Sequence, residues 1–243
     1  MSSKQIKRIQ KEISQYEENK EDINNNGISI YWLENNITKG IFTITCLDDE
    51  SPYYHSLFVF EFNITDKYPF QPPKVKFVQY ANTQRMNPNL YVCGKVCLSL
   101  LGTWSGPSWS ASNSILSIIK SIQALVLCKD PLCNEPGYCL EKHKKLVDEY
   151  TNKIQVISYY YHMEKMRNLE YLSSGTLLLN DNSTLANEIH QNYLSYLENN
   201  KDKVDKMFQK IKKVVKTKAT SLIKPMGYHG VVCDINVMKY FQK

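Results

Sequence analysis

Two thiols and two side-chain amides crowd the run Asn87-Pro88-Asn89-Leu90-Tyr91-Val92-Cys93-Gly94-Lys95-Val96-Cys97-Leu98-Ser99-Leu100-Leu101. A cysteine on a loop beside an amide donor is suited to nucleophilic or thioester chemistry, because the donor can steady the oxyanion that forms when the thiolate attacks a carbonyl. Asn89 is such a donor. Composition does not choose between Cys93 and Cys97, and a cysteine in an apolar run is also an ordinary small core residue. A different chemistry would come from Cys128, Cys133, Cys139 and His143, but their spacings of five, six and four lack the tight C-x₂₋₄-C knuckle of zinc sites. No metal ligand and no cofactor is assigned.

The elements around the run read as one sizeable domain with an appendage. The chain has 243 residues, 42% of them hydrophobic, which is enough to bury a core and too long for a small disulfide-stapled module. Ile6, Ile9, Ile13 and Tyr16 recur at helical spacing in a first amphipathic helix. Four β-rich runs follow at Ile28–Leu33, Ile41–Leu47, Leu57–Ile64 and Val75–Val78, separated by short turns, and predict a four-stranded antiparallel meander. From Tyr80 to Ser112 the sequence has apolar residues but no period, the mark of a long, packed, functional loop. Ser112–Leu127 is apolar almost all round and predicts a buried helix. Helical stretches then span 141 to about 172 and 184 to about 217, and no pattern is assigned from Thr220 onward.

Charge and cysteine content narrow the function. The formal net charge is +6, but residues 201–243 hold eleven lysines and three aspartates, a net of +8, which leaves −2 for the first 200 residues. Arginines number only three, Arg8, Arg85 and Arg167, so a nucleic-acid grip is not indicated. Seven cysteines and a polar stretch from Met1 to Lys20 point to a reducing interior, cytoplasmic and open to the nucleus. Ser114–Leu127, the longest apolar stretch, is too short for a membrane span.

In its wider setting the thiol segment resembles the ubiquitin-conjugating enzyme family, in order from about Lys4 to about Tyr138. Lys7-Arg8-Ile9-Gln10-Lys11-Glu12 is similar to that family's first helix, and Ser51-Pro52-Tyr53-Tyr54-His55-Ser56-Leu57-Phe58 to the turn into its third strand. Tyr68-Pro69-Phe70-Gln71-Pro72-Pro73-Lys74-Val75-Lys76-Phe77 resembles its proline-rich turn, and Trp109 stands where its tryptophan precedes the buried helix. The family's nucleophile lies eight residues after the Asn of a His-Pro-Asn motif, which here is Cys97. Asn87 replaces the His. Together with Gly94-Lys95-Val96-Cys97-Leu98-Ser99-Leu100-Leu101-Gly102-Thr103-Trp104 and Asn134-Glu135-Pro136-Gly137-Tyr138, this resembles the branch of giant hybrid conjugating and ligating enzymes, where Asn at that position is the pattern.

The resemblance implies an α+β ubiquitin-conjugating fold: a core domain over 1–140, a helical extension over 141–217 and a tail over 218–243, with Tyr68–Pro69 cis. It implies that Cys97 takes ubiquitin as a thioester from an ATP-driven activating enzyme and passes it to a lysine or a ligase cysteine. Asn89 would support the oxyanion, and Glu135 would orient or deprotonate the incoming amine. Lys7 and Arg8 would meet the activating enzyme, while Phe70 and the turn Trp109-Ser110-Ala111 would face a ligase. Its implied partners are ubiquitin, those two enzymes and protein substrates. The other reading, an inactive ubiquitin-binding variant of the fold, requires the nucleophile to be missing, and Cys97 is present.

Overall fold

The computed structural model describes residues 2–78, 85–223 and 235–242. Helix α1 (Ser3–Glu18) starts at a capping box in which Ser2 and Gln5 satisfy each other's backbone amides, and it turns Ile9 and Tyr16 inward. After the short helix α2 (Lys20–Asn25), strands β1 (Ile28–Leu33), β2 (Asn36–Thr45), β3 (Leu57–Asn63) and β4 (Lys74–Phe77) pair antiparallel in the order β1-β2-β3-β4, the meander expected. Strand β2 begins five residues before the expected start, because Asn36 pairs with Leu33 of β1, Lys39 with Asn63 of β3, and Gly40 with both Trp32 and Phe62. Gly40 makes that possible: a Cβ there would lie 2.3 Å from the Tyr31 carbonyl and 2.5 Å from the Phe62 ring.

Phe42, Phe60 and Phe77 pack across the inner face, with ring centroids 4.8 Å apart for the stacked pair Phe42–Phe60 and 5.4 Å for the tilted pair Phe60–Phe77. Across that core runs helix α3 (Ile115–Ser121), capped by Ser114 and prolonged by a wider π-type turn over Ile122–Val126. The expectation that this element is buried on nearly every side needs correction. Ile115, Ile118, Ile119, Ile122 and Val126 are buried, but Leu125 is 58% exposed, because the wider turn brings one flank to the surface.

Beyond Pro131–Asn134, helix α4 (Leu140–Ser158) runs into a π-type turn at Tyr159–Glu164, and α5 (Leu169–Ser173), α6 (Leu177–Asn180), α7 (Ser183–Asn199) and α8 (Lys201–Ile223) follow. The single helical stretch read over 184–217 is therefore two helices, divided at Asn200, whose backbone leaves the helical region (φ −114°, ψ 17°). Asparagine stabilises such ends by bonding locally to the backbone, and Asn200 Nδ2 donates to the Tyr196 carbonyl at 2.9 Å. The 218–243 segment, for which no pattern was read, holds the end of α8 past a bend at Lys218 and helix α9 (Ile235–Gln242); its residues 224–234 lie outside those described.

These later helices cover the sheet. His162 stacks on Phe58 at 4.6 Å, Ser158 Oγ meets Ser56 Oγ at 2.9 Å, and Tyr193 donates to the His55 carbonyl at 2.8 Å. On the outer face Asn192 of α7 donates to the Tyr31 hydroxyl at 3.2 Å, and Ile41 and Val59 are fully buried. Among the described residues no helix is long and apolar enough to cross a membrane.

Candidate active site

The turn that carries the amides is locked before the thiol is reached. Asn87, fully buried, donates through Nδ2 to the Tyr53 hydroxyl at 2.9 Å and to the Val126 carbonyl at 2.7 Å, while its Oδ1 accepts the Asn89 N–H at 2.7 Å. One side chain thus ties the loop to the Ser51–Ser56 turn and to the end of the buried helix. Tyr53 in turn donates to the Met86 carbonyl at 2.9 Å.

Asn89 clamps Cys97. Its side-chain Nδ2 donates to the Cys97 carbonyl at 2.9 Å, and the Cys97 N–H donates to the Asn89 carbonyl at 2.8 Å. Between them Tyr91–Lys95 folds back as a tight hairpin whose Gly94 takes φ 88°, against Lys76 and Phe77, where a Cβ would clash at 2.6 Å. Cys93 sits at the exposed tip; Cys97 is 2% exposed at its base. The turn that follows is closed by Thr103, whose Oγ1 donates to the Val96 carbonyl at 2.6 Å and accepts the Leu98 N–H at 2.9 Å.

Three side chains gather beside the thiol. The Arg85 guanidinium lies 3.8 Å from the centroid of the Tyr91 ring and 3.6 Å from the Glu135 carboxylate, and it donates to the Pro88 carbonyl. Burial raises the Tyr91 phenol above its ordinary pKa; Arg85 opposes the rise, and the neighbouring Cys97 and Glu135 add to it. Glu135 thus reaches the Cys97 neighbourhood through Arg85 and Tyr91. Sequence reasoning missed Arg85; the available signal was a rare arginine two residues before Asn87. Burial pushes Cys46 up to about 11 and raises Cys128 and Cys133, which makes these three poorer nucleophiles.

The residues expected to meet partners converge elsewhere, where α1 meets two loops. Trp109 Nε1 donates to the Pro69 carbonyl at 2.6 Å, seating the exposed Ser110-Ala111 turn beside Phe70, which is 82% exposed. Tyr68–Pro69 is cis. Lys7 is exposed. Arg8 is engaged internally, bonding Glu12 at 2.6 Å and the Asn113 carbonyl at 2.6 Å, while Glu12 also accepts from Tyr68 and from the Ile115 N–H. Of the basic pair, Lys7 therefore presents its charge outward and Arg8 braces the loops.

Among the described residues no three His, Cys, Asp or Glu side chains come together as a metal site. Cys139 Sγ approaches His143 Nδ1 at 4.0 Å, but Cys128 Sγ faces the Asn134 amide at 3.8 Å.

Comparison with known proteins agrees with this architecture. The profile described as ubiquitin-conjugating enzyme matches residues 8–156. Ubiquitin-conjugating enzyme E2 Z of Danio rerio and of Homo sapiens are each 48% identical over 95 residues, 39% of this chain and 29% and 27% of theirs. The putative ubiquitin-conjugating enzyme E2 38 of Arabidopsis thaliana is 51% identical over 96 residues, 38% of this chain and 29% of its own. Each match spans less than a third of the relative's length. In the crystal structure of H. polymorpha ubiquitin conjugating enzyme Pex4p in complex with the soluble domain of Pex22p, a chain covering 66% of this one and 97% of its own superposes with TM-score 0.52 at 23% identity, a likeness of fold.

Proposed function

The chain belongs to the ubiquitin-conjugating enzyme family, and from that premise we propose that it carries ubiquitin as a thioester on Cys97 and transfers it to lysine amines or to a ligase cysteine. The observation that carries the reading is the reciprocal clamp between Asn89 and Cys97, which holds an amide donor at the backbone of the one buried thiol in the loop. In loading, the Cys97 sulfur attacks the thioester carbonyl on the activating enzyme's cysteine; the acyl group moves to Cys97 and the first sulfur leaves as a thiolate. Transfer to lysine forms a C–N bond and breaks the C–S bond, and the amine's surplus proton passes to Glu135 or water. The bond from Asn89 Nδ2 to the Cys97 carbonyl uses one of two amide protons, so the other can meet the oxyanion.

Lys7 is read as a contact for the activating enzyme, and Phe70 with Trp109-Ser110-Ala111 as the ligase-facing edge. An aromatic ring exposed on a proline-rich turn supports that second assignment, since such side chains anchor partners. The test is incubation with activating enzyme, ATP and ubiquitin, or a related modifier, followed by mass measurement with and without reductant. A reductant-sensitive adduct on wild type supports the reading. An uncharged protein in every mixture that charges a control enzyme overturns it.

A further inference from the structure

We propose that Arg85 is a positioning residue for transfer to amines: its guanidinium, stacked on Tyr91 beside Cys97, holds the Glu135 carboxylate where an incoming lysine must pass. The inference rests on Cys97 being the acyl carrier, and it adds a residue outside the amide, thiol and carboxylate already assigned.

Three contacts reach three separate segments. The face of the guanidinium covers the Tyr91 ring at 3.8 Å, the shortest of the cation–aromatic contacts among the described residues, the others running from 5.2 to 6.0 Å. Its Nη2 stands 3.6 Å from Glu135 Oε2 and donates to the Pro88 carbonyl, one residue before Asn89. The Arg85 and Glu135 side chains are only 16% and 22% exposed, so water screens the pair less than it screens a surface ion pair. A planar fork can stack and donate from its edge at once, and a lysine ammonium cannot. Arg85 therefore joins the Asn89 turn, the hairpin leading to Cys97 and the loop after Pro131–Asn134.

The chemistry says which transfer should depend on this. A lysine amine, with an ordinary pKa near 10.4, arrives protonated at neutral pH and must lose a proton to attack the thioester; a thiol acceptor, near 8.5, needs far less help. A carboxylate held in place matters chiefly to the amine. The amine nitrogen forms the new bond to carbonyl carbon, Cys97 sulfur leaves with the bonding electrons, and the amine's proton goes to Glu135.

The experiment loads wild type, Arg85→Gln, Tyr91→Leu and the double variant with ubiquitin, removes ATP, and follows discharge to free lysine and to free cysteine across pH 6.5 to 9. Thermal melting and the final extent of loading report folding. We expect the lysine-to-cysteine discharge ratio to fall about tenfold in either single variant, no further in the double variant, and to recover as pH rises. A ratio equal to wild type in the loaded variants, or both discharges falling together, overturns the proposal. If Arg85→Gln does not fold, Tyr91→Leu alone decides. Failure of wild type to load is a different result: it removes the Cys97 reading before any ratio exists.

Discussion

Asn89 and Cys97 hold each other by two hydrogen bonds, side-chain amide to Cys97 carbonyl at 2.9 Å and Cys97 N–H to Asn89 carbonyl at 2.8 Å. The same amide thus fixes the Cys97 backbone and has a second proton that this bond does not use. Asn89→Ala should slow single-turnover discharge to lysine by about 100- to 1,000-fold, the usual cost of losing an oxyanion donor. Stability should fall by about 1–3 kcal/mol, the cost of leaving the buried Cys97 carbonyl unpaired. A variant that discharges at the wild-type rate would show that the amide's role is confined to the loop.

Asn87 is expected to behave in the opposite way. Its three bonds lie in a fully buried position and none touches Cys97, so Asn87→Ala strands the Val126 carbonyl and the Asn89 N–H, while the Tyr53 hydroxyl loses one bond and keeps the one to the Met86 carbonyl. Leaving buried groups unpaired costs about 1–3 kcal/mol each, so a loss of about 2 kcal/mol or more is expected in urea unfolding. Asn87, where the family resemblance expects a histidine, is therefore a structural brace, and an unchanged urea midpoint would contradict that account.

Local pattern carried most of the core. Strand β1 starts and ends where its β-rich run does, and the Ser2-to-Gln5 cap explains why α1 begins where it does. The cover over the outer sheet face had a signal that was not used. Ile41-Phe42-Thr43-Ile44 and Leu57-Phe58-Val59-Phe60 do not alternate, and such runs belong to strands buried on both faces. The site was legible only in part. Asn89 and Cys97 are eight residues apart and share a motif, but Arg85 and Glu135 are fifty apart and meet through tertiary turns that no local period encodes.

Two histidines make the cover sensitive to acid. His162 is buried against Phe58 and Phe77, and His55 against Tyr54 and Tyr196; burial lowers both to about 4 from an ordinary 6.5, with Lys203 adding to the shift at His55 and a bond to the Leu57 carbonyl opposing it at His162. Between those values the unfolded chain binds the extra protons, so their contribution is present in full above about pH 6.5 and is lost as pH falls toward 4. Urea midpoints measured from pH 7.5 to 4.5 should drop steadily, and His162→Gln should flatten part of the slope. A slope unchanged by the substitution would remove His162 from the account.

Helix α8 turns Val204, Met207, Ile211 and Val215 inward and leaves Lys203, Lys206, Lys210, Lys213 and Lys216 exposed. Accessible amines can take acyl groups from a loaded thioester, whereas Lys153, 1% exposed, cannot reach one. Mass spectrometry after charging should find self-modification concentrated between Lys201 and Lys218. Its absence there would leave the stripe as a solvated face.

Cys93 and Cys97 share one hairpin, and their environments predict opposite behaviour. Cys93 is exposed at the tip and should react first with iodoacetamide in the resting protein; Cys97, 2% exposed and clamped by Asn89, should react slowly. Carrying ubiquitin requires more than accessibility, because the acyl carbonyl must lie beside the Asn89 amide, and Cys97 is the cysteine whose backbone carbonyl accepts from that amide. Cys97→Ser should therefore trap ubiquitin as an oxyester that survives reductant, since an alkoxide leaves less readily than a thiolate, and Cys93→Ser should charge as wild type does. Alkylating Cys93 alone should leave charging intact. Loss of charging in a folded Cys93→Ala variant, with Cys97→Ala still charging, would move the nucleophile to the hairpin tip and detach Asn89 from the chemistry.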